Sequence, residues 1–200
     1  VFLNIKVIRN FMKDKIFLRS YLQDLASLAI PDEQILNQLV ECKNILINSK
    51  KKRNKILIFG NGGSAAIASH FSVDITKNCG LRCINFNESD LITCFSNDYG
   101  YENWMKEAIN FYGDKDDVVI LISSSGQSKN VINAANEAKK KKFSNIITIT
   151  GFKKNNPLKS KGNINIWINS KSYNFVENIT QIWLLSIVDL IIGKHEYKAK

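Results

Sequence analysis

Four serines surround a glycine between an apolar stretch and a stretch with helical spacing, in the segment Ser123-Ser124-Ser125-Gly126-Gln127-Ser128. Hydroxyl groups and the free N–H groups at the start of a helix can together donate to the terminal oxygens of a phosphate monoester. Helix capping would explain one serine but hardly four. We therefore predict that a phosphate group binds to Ser123, Ser124, Ser125 and Ser128, which we call the serine loop.

A glycine-rich turn, Gly60-Asn61-Gly62-Gly63-Ser64, also joins an apolar run to a helical stretch. Glycines let the backbone approach a ligand, and the helix that follows offers unpaired N–H groups. Two such loops in one small sheet predict a phosphorylated polyol, with its phosphate at one end.

A dinucleotide-binding fold is the nearest competing interpretation, because Gly60, Gly62 and Ala65 fit the loose G-x-G-x-x-G/A fingerprint. Such a fold needs an acidic residue at the end of the second strand. Glu88 comes slightly late for that position, and the serine loop has no role in such a fold.

Five apolar segments predict the strands of a buried parallel sheet. Helical stretches separate most of them, which indicates right-handed βαβ units with helices on both faces. The predicted strands are Ile56–Phe59, Cys83–Phe86, Val118–Ile122, Ile146–Ile149 and Ile164–Ile168, and the clearest intervening helices are Ala65–Thr76, Asn103–Phe111 and Val131–Lys141.

Two helices precede the sheet and one follows it. Met12–Ile30 and Ile35–Ile47 form a predicted helical hairpin within residues 1–54, which we assign to the same single domain as the α/β body, residues 55–200. The long C-terminal helix covers Tyr173–Ile192. We expect no apolar run that approaches the ~18 residues of a membrane helix, since Asp189 interrupts the longest one, and therefore a soluble protein without membrane contact.

The 200-residue chain carries a net charge of +10, yet nucleic acid is an unlikely partner. Its arginines are only Arg9, Arg19, Arg53 and Arg82, whereas proteins that read bases depend on arginine. The lysine clusters sit at expected helix ends, where cations suit the helix dipole. The four cysteines show no zinc or disulfide spacing, which predicts reduced thiols and a cytoplasmic protein.

Several motifs in order resemble the sugar isomerase (SIS) fold and, within it, the phosphoheptose isomerase group, from about Leu22 to the C-terminus. They are the glycine-rich turn, His70-Phe71, Ser96–Gly100, the serine loop and Ile147–Gly151. The resemblance implies a three-layer α/β domain that isomerises sedoheptulose 7-phosphate to a glycero-manno-heptose 7-phosphate through a cis-enediol, for lipopolysaccharide or capsule. It also implies a homo-oligomer, usually a tetramer, with active sites between subunits.

The resemblance also assigns roles to individual residues. In several family members a histidine at the His70 position and a glutamate four residues later bind zinc, and that glutamate is the expected base. Here the second position is Asp74, whose side chain is ~1.3 Å shorter. Residues four apart share a helix face, so both side chains can reach one metal or substrate. The resemblance then implies Asp74 as the base and His70 with Asp74 as candidate zinc ligands. The implied sugar contacts are Asn61, Gly62, Gly63, Ser64, Asn97 and Asp98.

The C-terminal helix matches the family in two registers. The family places a glutamine and, eight residues later, a histidine there, as ligands or acid/base groups. The shared apolar frame aligns Thr180 and Val188 with those positions, which would remove both functions. A shift of one residue gives Gln181 and Asp189, which are chemically competent and lie two turns apart on one face, and we take them as candidate catalytic partners.

Two functions remain open at the level of sequence. The first is the isomerase, with Asp74 as base and Gln181 or Asp189 as the orienting or proton-handling group. The second is a non-catalytic SIS protein that senses a phosphosugar or serves as an oligomeric adaptor. The intact Asn97-Asp98 pair and the acid at Asp74 favour the enzyme.

Overall fold

The computed structural model describes residues 2–196 and shows a five-stranded parallel sheet with strand order β2-β1-β3-β4-β5. The predicted strands are all present, with ends that differ by one residue at most. Their bounds are β1 Ile56–Phe59, β2 Cys83–Asn85, β3 Val118–Ser123, β4 Asn145–Thr150 and β5 Ile164–Trp167.

Seven helices surround the sheet in the described part of the chain. Their bounds are α1 Phe2–Ala29, α2 Glu33–Lys51, α3 Gly63–Cys79, α4 Ser89–Tyr99, α5 Trp104–Tyr112, α6 Lys129–Lys140 and α7 Tyr173–Ile192. Two differences from the prediction stand out. Helix α1 begins ten residues earlier than predicted, and α4 was not predicted. None of the α4 residues is fully buried, although Leu91, Ile92 and Phe95 pack against the core.

The two faces of the sheet carry separate hydrophobic cores. Helices α2, α3 and α7 cover one face, with Leu46 and Phe71 among the fully buried side chains. Helices α5 and α6 cover the other face, where Trp104 and Val131 are buried. All four residues of β1 are buried, which explains why the strand reads as an unbroken apolar run. The three-layer α/β fold is therefore confirmed.

The N-terminal hairpin packs on the α/β body at its second helix. Asp32 caps α2 by accepting a hydrogen bond from the Ile35 N–H at 2.8 Å. At the end of α1, the Ala29 carbonyl accepts a hydrogen bond of 2.9 Å from the Trp183 indole. Leu39 and Leu46 of α2 enter the core. Residues earlier in α1 instead expose large apolar side chains.

Helix α7 corrects the expectation that no segment is long and apolar enough to cross a membrane. An 18-residue window of this 20-residue helix has a mean hydropathy of 1.6, because Glu177 and Asp189 interrupt the apolar residues without outweighing them. The same test is passed by core helices of soluble proteins. Val176, Leu184 and Ile187 of α7 are buried in the core against α3 and the sheet, so the helix has a packing role in this fold.

Candidate functional site

The two predicted loops meet where the strand order reverses. From β1 the chain continues to β2 on one side, whereas β3 lies on the other side. Ligands of open parallel sheets bind in the crevice outside the carboxyl ends of the strands at such a switch point. The glycine-rich turn follows β1 and the serine loop follows β3, so both loops border this crevice.

A cavity of about 110 Å³, which we call the phosphate cavity, lies between the loops. The structure brings there six of the residues predicted to bind substrate, together with two residues of α7 that the sequence did not indicate. The predicted ones are Asn61, Ser64, Ser123, Ser124, Ser125 and Ser128, and the additional ones are Tyr173 and Glu177. Hydroxyl and amide groups thus converge on a space of the size of a phosphate group.

The hydroxyl groups of the serine loop are held in place without capping α6. The Ser123 and Ser128 hydroxyls lie 3.0 Å apart, and the Ser125 hydroxyl accepts a hydrogen bond from the Gln127 N–H at 3.2 Å. Ser128 occupies the N-cap position of α6, but its side chain makes no cap hydrogen bond. The start of α6 therefore keeps its positive potential available to an anion in the cavity.

Asn61 is fixed by two residues that sequence reasoning missed. Its amide exchanges two hydrogen bonds of 3.0 Å with the buried amide of Asn130, and the Tyr101 hydroxyl donates to its Oδ1 at 3.0 Å. Asn130 lies in the first turn of α6, directly after the serine loop. The amide pair thus ties the glycine-rich turn to the serine loop across the cavity.

Glu177 was also missed, and it places a carboxylate in the phosphate cavity. A β-carbon added to Gly63 would lie 2.4 Å from its Oε2 and 2.8 Å from its Oε1. The carboxylate therefore rests on the glycine-rich turn, at the start of α3. Only a glycine leaves room for it there. No local pattern in the sequence could reveal this contact between residues so far apart along the chain.

Replacing Glu177 by glutamine should strengthen the binding of inorganic phosphate about threefold, because the carboxylate repels a dianion within the same small cavity. Isothermal titration calorimetry measures the affinity. Glu88→Gln removes the same charge from the exposed N-cap of α4 and is expected to leave the affinity unchanged. An equal gain in both variants, or no gain in Glu177→Gln, would contradict this effect of the carboxylate.

A second group of polar side chains lies along the seam between α3 and α7. The Gln181 amide nitrogen is 3.0 Å from His70 Nδ1, and His70 Nε2 is 3.3 Å from Asp74 Oδ2. With the amide in this orientation, Nδ1 accepts the hydrogen bond and the ring proton lies on Nε2, directed at Asp74. The Asp74 side chain is 28% exposed, so it is open to a ligand.

This contact settles which register of α7 faces His70. Thr180 and Val188 are each 1% exposed, and the Thr180 hydroxyl bonds to the Val176 carbonyl within the helix. Gln181 is the residue that turns towards α3. Asp189 lies two turns further along α7, near Cys79. Burial raises the pKa of the Cys79 thiol, the charges of Asp189 and Asp74 raise it further, and the charge of Lys50 opposes them.

Asn97 and Asp98 lie apart from both groups. They are exposed on the last turn of α4, where the Asn97 amide donates to Asp98 at 2.9 Å. Neither residue lines the phosphate cavity. Their contact with a sugar stays a prediction.

His70 and Asp74 would provide two ligands for a zinc ion. The 3.3 Å between their ligand atoms fits a tetrahedral metal, whose ligands at ~2.1 Å lie about 3.4 Å apart. Within residues 2–196, however, no group of three or more histidine, cysteine, aspartate or glutamate side chains is placed to hold a metal ion. The donor set is therefore short of a complete zinc site, and no chemical step is derived through a metal.

Comparisons with known proteins agree with this architecture. A family model described as the SIS domain matches residues 21–151. A phosphoheptose isomerase of Histophilus somni is 33% identical over 175 residues, which cover 85% of this chain and 88% of the relative. A phosphoheptose isomerase of Buchnera aphidicola is 31% identical over 200 residues, covering 96% and 92% of the two chains.

A solved structure shows the same fold. The structure of a phosphoheptose isomerase from Francisella tularensis superimposes with a TM-score of 0.80 at 24% identity, over 90% of this chain and 98% of the other. The order of strands and helices described above is therefore that of a known α/β domain.

Proposed function

Because the chain belongs to the SIS domain family and, within it, to the phosphoheptose isomerases, we propose that it converts sedoheptulose 7-phosphate to a glycero-manno-heptose 7-phosphate. The observation that carries the proposal is the phosphate cavity with the His70–Asp74–Gln181 group beside it on α3 and α7. The product would supply heptose for a surface polysaccharide. The four free cysteines are consistent with a reducing cytoplasm.

The serine loop would anchor the phosphate and leave the carbonyl end of the sugar for reaction. Asp74 would remove a proton from C1 of the ketose and return it to C2, while a proton moves from O1 to O2 through the cis-enediol. Gln181 would hold the His70 ring so that its N–H orients the Asp74 carboxylate. Asp189, the titratable member of the predicted pair, stays a candidate for the transfer between the oxygens.

Deuterium exchange tests this proposal. Sedoheptulose 7-phosphate is incubated with the protein in deuterated water, and NMR follows label entering C1 of the ketose and C2 of the aldose. A chelator arm tests zinc, and with two protein ligands in the described structure we expect turnover to persist. Binding of the sugar phosphate without any exchange, with or without zinc, would contradict the isomerase and favour the phosphosugar sensor.

We also propose that the protein self-associates through α1, in keeping with an expected tetramer. Phe17, Ile16 and Leu22 are each at least 60% exposed there, more apolar surface than a monomer usually leaves in contact with water.

Sedimentation velocity at micromolar concentration should therefore show an oligomer, and Phe17→Glu should shift it towards the 22.7 kDa monomer, because a charge would be buried in the interface. Phe111→Glu introduces the same charge at a similarly exposed aromatic side chain on α5 and should leave the assembly intact. A wild-type protein that sediments only as a monomer would contradict the proposal.

A further inference from the structure

A second cavity, of about 290 Å³, lies at the carboxyl end of β5, between that strand and the turn that joins α1 to α2. Trp167 at the end of β5 and Trp183 of α7 contribute its aromatic walls, and we call it the Trp167 cavity. Gln38 of α2 and the lysines of the β4–β5 loop, Lys154 and Lys159, contribute polar groups. None of these residues borders the phosphate cavity.

Two buried polar atoms of the lining residues lack hydrogen-bond partners among the described residues. They are the indole Nε1 of Trp167 and the amide Oε1 of Gln38. The other end of the Gln38 amide donates to the Asn165 carbonyl at 3.3 Å. Both residues line the cavity, and a buried donor or acceptor left without a partner is unfavourable unless a bound molecule pairs with it.

The two lysines bring uncompensated positive charge to the same place. Lys159 Nζ lies 5.3 Å and Lys154 Nζ 5.9 Å from the centroid of the Trp167 ring. No ion pair within residues 2–196 involves either ammonium group. Asp32 is the only acidic residue of the lining, and its Oδ1 accepts the α2 cap hydrogen bond. Burial, and then the charge of Lys154, lower the pKa of Lys159.

We propose that the Trp167 cavity binds a small phosphate monoester with a hydroxylated body. Lys154 and Lys159 take the phosphate, while the Trp167 indole N–H and the Gln38 amide oxygen pair with hydroxyl groups. Small-molecule sites typically have aromatic walls and a few polar groups directed at the ligand. The volume of the Trp167 cavity, about 290 Å³, lies near the lower end of their usual range of roughly 300–1,000 Å³.

The site is joined to the serine loop through one buried side chain. The backbone N–H of Lys159 donates to Asn156 Oδ1 at 2.9 Å. The Asn156 carboxamide fills the space that a side chain on Gly126 would occupy. The Leu158 N–H also donates to the Gly126 carbonyl at 3.1 Å. A ligand that draws Lys159 into the cavity would therefore shift Asn156 and the serine loop. It would change the affinity for the substrate, a consequence that rests on the proposed function.

The test is a titration with ribose 5-phosphate and, separately, inorganic phosphate, followed by the indole N–H signal of Trp167 in ¹H–¹⁵N NMR spectra. Trp167→Phe assigns that signal among the three tryptophans. Lys154→Gln/Lys159→Gln removes the proposed phosphate contacts. Lys153→Gln/Lys161→Gln removes the same charge from the same loop at residues that do not line the cavity. Thermal melting confirms that both double variants are folded.

We expect ribose 5-phosphate to shift the Trp167 signal to saturation in the wild type and in the Lys153/Lys161 variant. Its affinity should fall roughly tenfold or more in the Lys154/Lys159 variant, because two charge-assisted hydrogen bonds are lost. Inorganic phosphate, without the hydroxylated body, should bind more weakly than ribose 5-phosphate.

Three results would overturn the proposal. One is no shift in the wild type. Another is an equal response in both double variants, which would indicate bulk charge or an effect transmitted from the serine loop. The third is a signal that depends on protein concentration and not on ligand, which would mean that a second copy of the chain covers the cavity. Absence of deuterium exchange at the isomerase site would leave this titration unaffected, so the two proposals fail separately.

Discussion

Turnover should fall by about 10²–10⁴-fold in Asp74→Asn, the range that general-base catalysis typically supplies. The amide keeps the shape of the side chain and can still contact His70, whose Nε2 lies 3.3 Å from Asp74 in the wild type. It cannot accept a proton from carbon, however. The loss should therefore appear in kcat, measured by deuterium exchange, while the affinity for the sugar phosphate changes little.

Two companion variants sharpen this result. Asp74→Glu introduces the longer side chain that the resemblance implies for this position and should leave activity equal or higher, since the Asp74 side chain is 28% exposed. Asp90→Asn removes a carboxylate from the exposed first turn of α4 and should have no effect. Normal turnover in Asp74→Asn would show that another residue is the base, and Asp189 would be the next residue to test.

Gly126→Ala should destabilise the protein by about 3 kcal/mol or more and weaken phosphate binding at least about tenfold. Gly126 has a φ of +65°, where an L side chain is strained, and its new β-carbon would lie 2.0 Å from Asn156 Oδ1. Asn156 is only 3% exposed and donates to Thr150 Oγ1 at 3.0 Å, so it cannot move without breaking buried hydrogen bonds. The free energy of unfolding from urea titration and the phosphate affinity from calorimetry measure the two effects.

Gly193→Ala separates backbone strain from the collision. Gly193 has a φ of +82° at the end of α7, and nothing lies within 4 Å of a β-carbon there. Its replacement should cost only the strain, about 1–2 kcal/mol, and leave phosphate binding intact. If both alanine variants lost equal stability, Asn156 would not be the reason for the glycine in the serine loop.

The parts of the site that lie on single loops were predictable from sequence. The serine loop could be recognised because its hydroxyl groups lie close together in the sequence. An unbroken apolar strand precedes it and a helical pattern follows it. The central strands are equally clear, since residues buried on both faces must all be apolar. Helix α4 was missed because it is short, 11 residues, and only Leu91, Ile92 and Phe95 of it pack against the core, none of them fully buried.

Contacts between distant elements were not predictable in the same way. Moving the register of α7 by one residue rotates each side chain by about 100°, and only the packing of α7 on α3 decides that Gln181 and not Thr180 meets His70. For the same reason Glu177 reaches the phosphate cavity and Asn130 reaches Asn61 at its edge. In the sequence each of them is a polar residue within a helix, and only the folded sheet brings it to the two loops.

Helix α3 carries the glycine-rich turn at its first residue and Asp74 three turns later. In the proposed reaction the fixed length of this helix therefore sets the distance between the phosphate and the base. A rigid helix cannot shorten to follow a smaller molecule. Each carbon removed between the phosphate and the carbonyl withdraws the reacting atom by about 1.3 Å, and a misplacement of about 1 Å can cost ~10² in rate. Shorter sugar phosphates would thus be held by the serine loop and yet escape reaction, which makes them inhibitors by geometry alone.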